Sequence, residues 1–279
     1  MTETVQDLSI WGRRLRVAVR PGEGPPLVLC NGIGASLDLL RPFVDALDPA
    51  IPIVRFDVPG IGGSALPRLP YTFATLTMQL ERVLDELGFG EVDVLGISWG
   101  GALAQQFAFQ NPRRCRRLVL VSTATGWLMV PANPLVLSKM ITPKRFRDPA
   151  YAAGIAASIY GGRMRDEPGL ASVLLNGHAP LTSWRGYALQ LVAGLGWTSL
   201  PFLPLIRQQT LVLAGEDDPI IPSANATIMT RLLPHAVLYT YPDGHLGLIT
   251  RPDELAARIA DFLRAGDKAD DDGAVTAPG

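Results

Sequence analysis

The chain has little with which to hold a metal, a disulfide framework or a membrane. Its 279 residues include two cysteines and three histidines. Cys30 lies in the apolar run PLVLCNG and Cys115 follows a helix-like segment, so both are expected as reduced thiols. HExxH, paired CxxC and calcium-loop patterns are all missing, so no metal site is expected. The start, MTETVQDLSI, lacks the basic and apolar regions of a secretory signal, and no apolar run reaches the length of a membrane span. These absences point to a cytoplasmic protein with no transmembrane segment. Charge of one sign is missing as well. The 25 Lys and Arg face 26 Asp and Glu, so no global field draws in nucleic acid. The cluster Arg113, Arg114, Arg116 and Arg117 reads as a solvated helix end before a strand. There is no internal repeat.

What is present is apolar and alternating. Hydrophobic residues make up 48% of the chain, enough for a substantial core. Residues 8–20 read as two short strands around a Gly-Arg turn. Apolar, β-branched runs follow at 26–32, 52–60, 92–98, 117–124, 210–215 and 236–242, each ending in glycine, proline or polar residues. Helical patterns fall between them at 72–88, 99–111, 223–233 and 252–264. This alternation predicts an α/β fold: a mostly parallel central sheet of about eight strands, flanked by helices on both faces.

The alternation stops between Gly126 and Arg207, a stretch too long for a connection and too apolar for a linker. Three helix-like pieces occur there, TGWLMVPANPLVLSKMI, AGIAASIYGG and YALQLVAGLGW, with three of the five tryptophans. The expected organisation is a core of residues 1–125 and 208–265, interrupted by a helical cap at 126–207. The acidic, small-residue-rich segment 266–279 is expected to be a disordered tail.

The motif LGISWGGALAQQF supplies the chemistry. Gly96-Ile97-Ser98-Trp99-Gly100 joins a strand to a helix, the context that lifts a serine hydroxyl out at the carboxyl edge of such a sheet. A serine there sits in a strained turn, and glycines on either side let neighbouring segments approach. The hydroxyl needs a base. His178 lies in the cap and His235 in an exposed turn, RLLPHAV, whereas His245 follows the last strand in YPDGHLGLI, on the edge that Ser98 occupies. The base needs an acid to orient it. LAGEDDPIIP places Glu216, Asp217 and Asp218 after the preceding strand, in the order serine, acid, histidine. Residue reasoning does not separate the two aspartates. For the oxyanion, LCNGIGAS offers the amide of Ile33, paired with the amide of Trp99 beside the nucleophile. Leu37 stands where a dinucleotide fingerprint needs its third glycine, and DVPGIGGSA matches no phosphate motif.

The segments NGIGAS, FDVPGIGGS, GISWGGALAQQFA, LVLAGEDDPIIP and DGHLGLITR resemble the α/β-hydrolase superfamily. More narrowly, with IYGG and AGLGWTS, they resemble intracellular poly(3-hydroxyalkanoate) depolymerases acting on medium-chain-length polymer, over residues 8–263. That resemblance implies an α/β-hydrolase fold and a triad of Ser98, Asp218 and His245, since Asp218, directly before Pro219, matches the family's acid. Asn31 stands where many superfamily members carry histidine, and the narrower family resembles the sequence there.

It further implies serine-dependent hydrolysis of a polyester, or of another hydrophobic ester, through an acyl-enzyme, with no cofactor and with the storage-granule surface as a partner. Trp127, Leu128, Met129, Val130, Trp184, Tyr187 and Trp197 form either an apolar tunnel or polymer-facing surface, or simply a packed cap interior. The alternatives are a small-molecule carboxylesterase or carbon–carbon bond hydrolase with the same triad, and a receptor that keeps the fold without turnover. A dehalogenase would want aspartate where Ser98 stands.

Overall fold

The computed structural model describes residues 2–141, 144, 147–167, 169–175 and 183–265. His178 and segment 266–279 lie outside them. Eight strands form one sheet: β1 (Thr4–Ile10), β2 (Arg13–Arg20), β3 (Leu27–Cys30), β4 (Ile53–Phe56), β5 (Val92–Ile97), β6 (Cys115–Val121), β7 (Gln209–Gly215) and β8 (Ala236–Tyr241). Their spatial order is β1-β2-β4-β3-β5-β6-β7-β8; β1, β2 and β4 pair antiparallel in succession, and every other pair is parallel.

The helices are α1 (Arg41–Ala46), α2 (Phe73–Glu86), α3 (Trp99–Gln110), α4 (Pro134–Ile141), α5 (Pro149–Tyr160), α6 (Arg163–Asp166), α7 (Leu170–Leu175), α8 (Trp184–Gly194), α9 (Ala224–Leu232), α10 (Gly247–Thr250) and α11 (Pro252–Arg264).

Side-chain alternation along the strands builds two cores. Val28, Val54, Val94, Leu118, Leu120 and Val212 pack on α2, α3 and α9 through Leu80, Leu103, Phe107 and Met229. Their strand neighbours Leu29, Ile53, Leu95, Val119, Val121 and Leu213 pack on α1, α10 and α11 through Phe43, Leu248, Leu255 and Ile259. β3 to β7 therefore bury both faces, which explains their mainly apolar sequence. α3 is buried on every side from Gly100 to Ala108, whereas α2 shows a single stripe. In α2 the buried residues are Phe73, Leu76, Thr77, Leu80, Val83 and Leu84, and Thr72 opens the helix in a reciprocal cap with Thr75.

Several boundaries differ from the sequence reading. β1 begins at Thr4 rather than Leu8, because Thr4–Asp7 are exposed edge residues without an apolar alternation to betray them. The hairpin turn is Trp11-Gly12, both at positive φ, with Ile10 opposite Arg13; it is not Gly-Arg. The arginine cluster also resolves differently. Arg116 and Arg117 belong to β6, Arg116 binds Asp93 at 2.7 Å, Arg114 binds Asp85 at 2.7 Å, and Arg117 lies over the Phe262 ring. Only the Arg113 part of it is exposed turn.

Between β6 and β7 the chain carries α4 to α8. Its first piece is not helical before Pro134: Gly126 bridges Thr198, and Asn225 holds both the amide and carbonyl of Val130. A small core of Ala132, Val136, Ile155 and Ile159 joins this insertion to Ile220, in the loop after β7. No helix among the described residues is long and apolar enough to cross a membrane.

Candidate active site

Ser98 occupies the turn from β5 into α3 with φ 55° and ψ −122°, a strained conformation for any residue but glycine. Close packing imposes it. A Cβ on Gly96 would lie 2.3 Å from the Gly100 carbonyl oxygen, and one on Gly100 would lie 2.0 Å from that of Cys30. Glycine before and after Ser98 thus lets α3 start directly against β3 and β5. The turn is fixed from β6: the Ser98 amide donates to Val121, and the Thr123 hydroxyl donates to the Ser98 carbonyl at 2.7 Å.

Because β5 to β8 run parallel, the segments after them share one edge of the sheet. His245 and Asp218 arrive there from β8 and β7. His245 Nδ1 lies 2.8 Å from Asp218 Oδ2, with both side chains almost fully buried. The other carboxylate oxygen of Asp218 accepts the amides of Ile220 and Ile221, each at 2.9 Å. Ser122 and Tyr241 connect this pair to the Ser98 turn. Ser122 follows β6, its hydroxyl meets that of Tyr241 at 3.1 Å, and the Tyr241 hydroxyl donates to the Gly244 carbonyl. Burial pushes the Tyr241 phenol up, so it stays protonated and able to donate.

The neighbouring aspartate does other work. Asp217 is half exposed, accepts the Gly162 amide at 2.7 Å and pairs with Arg165 at 2.7 Å. It ties the insertion to the acid loop. The IYGG segment lies where this contact is closest. A Cβ on Gly161 would sit 1.9 Å from the Asp217 carbonyl oxygen, and one on Gly162 would sit 2.0 Å from Asp243 Oδ1. Tyr160 completes the seat: its carbonyl accepts the His245 amide at 2.8 Å, and its ring stacks on the imidazole with centroids 6.5 Å apart.

Opposite this pair, Gly32 lies close to Ser98: a Cβ on Gly32 would be 3.5 Å from Ser98 Cβ. Among the described residues, no acceptor meets the amides of Ile33 or Trp99. The loop is held elsewhere: Asn31 Nδ2 donates to the Ser36 carbonyl, and the Gly34 amide donates to Gln190 Oε1 at 2.7 Å. Asp57 of the FDVPGIGGS segment accepts the amides of Leu37 at 2.6 Å and Gly63 at 2.8 Å. Burial raises its carboxyl against the pull of those two bonds. Through Asp57 that segment clamps its own turn and the loop after β3 together.

The cap residues separate into two groups. Tyr187 is buried, with its hydroxyl donating to the Met140 carbonyl. Trp197 packs against Phe73 with the rings tilted and their centroids 4.8 Å apart, and its indole donates to Gln106. Trp127 and Trp184 face outward, 63% and 54% exposed, with Leu128 and Val130 beside them and Met129 half-buried. His235 is exposed.

Three positioning residues escape the sequence reading. Gln190 looks like a stray amide in the apolar stretch YALQLVAG. Asp243 looks like a turn former in PDG, yet it is buried and accepts from the amides of Arg163 and Gly244 and the hydroxyl of Thr250. Thr123 carries no motif at all. The signal available for the first two was an unpaired polar residue in an apolar setting.

The α/β-hydrolase fold family model matches residues 25–252. The poly(3-hydroxyalkanoate) depolymerase of Ectopseudomonas oleovorans is 49% identical over 255 residues, spanning 90% of this chain and 89% of that one. Among solved structures, the enol-lactonase of Burkholderia xenovorans LB400 superimposes with a TM-score of 0.79 at 24% identity, covering 92% of this chain and 99% of its own. The meta-cleavage product hydrolase of Pseudomonas fluorescens IP01 gives 0.80 at 18% identity, covering 94% and 98%. The last two show the shared fold alone. The chain belongs to the α/β-hydrolase family, as a carboxylic ester hydrolase.

Proposed function

We propose that the protein hydrolyses medium-chain-length poly(3-hydroxyalkanoate) at the surface of cytoplasmic storage granules, through an acyl-enzyme on Ser98. The buried Asp218–His245 contact on the same sheet edge as the strained Ser98 turn carries the chemical half of this reading. Its polymer half is supported by the 49% identity to the depolymerase, which extends through the insertion.

In this mechanism His245 Nδ1–H donates to Asp218, leaving Nε2 free to accept the Ser98 hydroxyl proton. Ser98 Oγ attacks the ester carbonyl, and the amides of Ile33 and Trp99 hold the oxyanion. Collapse breaks the ester C–O bond, and His245 returns its proton to the departing 3-hydroxyl end. Water then attacks the acyl-serine while His245 takes its proton. The second collapse breaks the bond to Ser98 Oγ, His245 returns its proton to that oxygen, and a 3-hydroxy acid leaves. Asp218 orients the imidazole throughout, and no cofactor takes part. The helices between β6 and β7 act as a cap, with Trp127, Met129 and Trp184 on the polymer side.

Acid quenching during turnover of a 4-nitrophenyl 3-hydroxyoctanoate tests the covalent step. The expected result is a 3-hydroxyacyl adduct on the peptide carrying Ser98. Turnover with no adduct there, or an adduct on another residue, contradicts the mechanism. Turnover of soluble esters without attack on polymer would move the site to small-molecule esters.

A further inference from the structure

The side chain of Gln190, on α8, reaches the loop after β3. It is 1% exposed, and its Oε1 accepts the buried Gly34 amide at 2.7 Å. Gly34 follows Ile33 directly and holds φ at 74°, so the orientation of its amide sets the direction of the peptide before it. The same residue reaches the second donor through its main chain: the Gln190 carbonyl accepts the Trp99 indole N–H at 2.9 Å. One residue of the insertion therefore grips both segments that carry the oxyanion amides.

The helix that presents Gln190 cannot shift inward. Gly186, one turn earlier on the same buried face, touches the loop after β4 backbone to backbone: a Cβ there would lie 2.0 Å from the Gly60 carbonyl oxygen. Loss of the Gln190 acceptor strands a buried N–H. The loop then rotates to satisfy it, because an unpaired buried donor is costly. That rotation turns the Ile33 amide away from the reacting carbonyl.

We infer that Gln190 is a positioning residue for the oxyanion site, which is complete only while α8 is seated on the loop after β3. This rests on the acyl-enzyme reading above and adds that the insertion, as well as the core, assembles the charge-stabilising site.

The test uses the full chain and soluble 4-nitrophenyl octanoate, with octylboronic acid as a probe whose tetrahedral serine adduct needs the oxyanion donors. Gln190→Met keeps size and removes the acceptor. It should lower kcat about 10- to 100-fold with KM within twofold, less than deletion of a whole donor costs, and weaken boronate binding by the same factor. Trp99→Phe keeps the Trp99 amide and removes only the indole bond; it should act in the same direction, about 3- to 10-fold. Val192→Ala, on the outward face of α8, should leave kcat and boronate affinity within twofold.

Wild-type kcat and boronate affinity in folded Gln190→Met overturn the proposal, as does a loss confined to KM. Should Gln190→Met fail to fold, unchanged boronate affinity in Trp99→Phe overturns it. A wild type that binds no boronate and takes no fluorophosphonate on Ser98 instead overturns the acyl-enzyme reading itself.

Discussion

Asp218 and His245 meet at 2.8 Å inside the protein, while Asp217, the adjacent residue, faces the other way onto Gly162 and Arg165. Two consecutive carboxylates thus have unrelated tasks, set by the alternation of side chains along the loop after β7. Asp218→Asn should lower kcat by about three to four orders of magnitude, because an amide stabilises the wrong imidazole tautomer. Asp217→Asn removes a half-exposed ion pair worth about 1 kcal/mol or less and should leave kcat within tenfold. Steady-state kinetics on a soluble ester check both, and the reverse ranking would assign the acid to Asp217.

Gly244 is required by space. A Cβ there would meet the Tyr160 carbonyl oxygen at 1.9 Å, and that oxygen holds the His245 amide. Gly244→Ala should push Tyr160 and His245 apart and lower kcat at least about 100-fold, the scale on which an ångström of misplacement acts. Near-wild-type kcat in this variant would show that the Tyr160 contact does not position the base.

The fold was legible in the sequence wherever strands bury both faces, since β3 to β7 then read as mainly apolar runs closed by turn residues. β1 was cut short because its first four residues lie exposed on an edge. The stretch before Pro134 looked helical from its apolar content, but tertiary bonds to Thr198 and Asn225 hold it as a turn and irregular backbone. At the site, Ser98 and His245 stood out through local motifs, whereas Asp218 was set apart from Asp217 only by the family resemblance. Gln190 and Asp243 were not legible, because each acts on a segment remote in sequence: Gln190 on Gly34, and Asp243 on Arg163.

Both cysteines are fully buried, and burial pushes the Cys30 thiol up to about 12 and the Cys115 thiol well above its ordinary value. Thiolate, the reactive form, is then scarce at pH 8. A disulfide-exchange dye should therefore titrate no thiol in the native protein and two after denaturation. Rapid native labelling would show that one of the strands opens.

The exposed indoles of Trp127 and Trp184 extend from the insertion with Leu128 and Leu135. If this surface meets polymer, each indole contributes about 1 kcal/mol or more of contact. The double variant Trp127→Ser, Trp184→Ser should then adsorb to polymer at least about tenfold more weakly, with a smaller change in soluble-ester kcat. Equal adsorption by wild type and variant would place polymer contact elsewhere.

The central claim is that Ser98 cleaves a medium-chain polyester. Clearing of a medium-chain poly(3-hydroxyalkanoate) latex by the purified protein tests it most directly, with Ser98→Ala and a short-chain latex alongside. The account predicts clearing of the medium-chain latex by wild type alone, with 3-hydroxy acids or their oligomers released. A latex left turbid by wild type that still cleaves soluble esters, or cleared equally by Ser98→Ala, would contradict it.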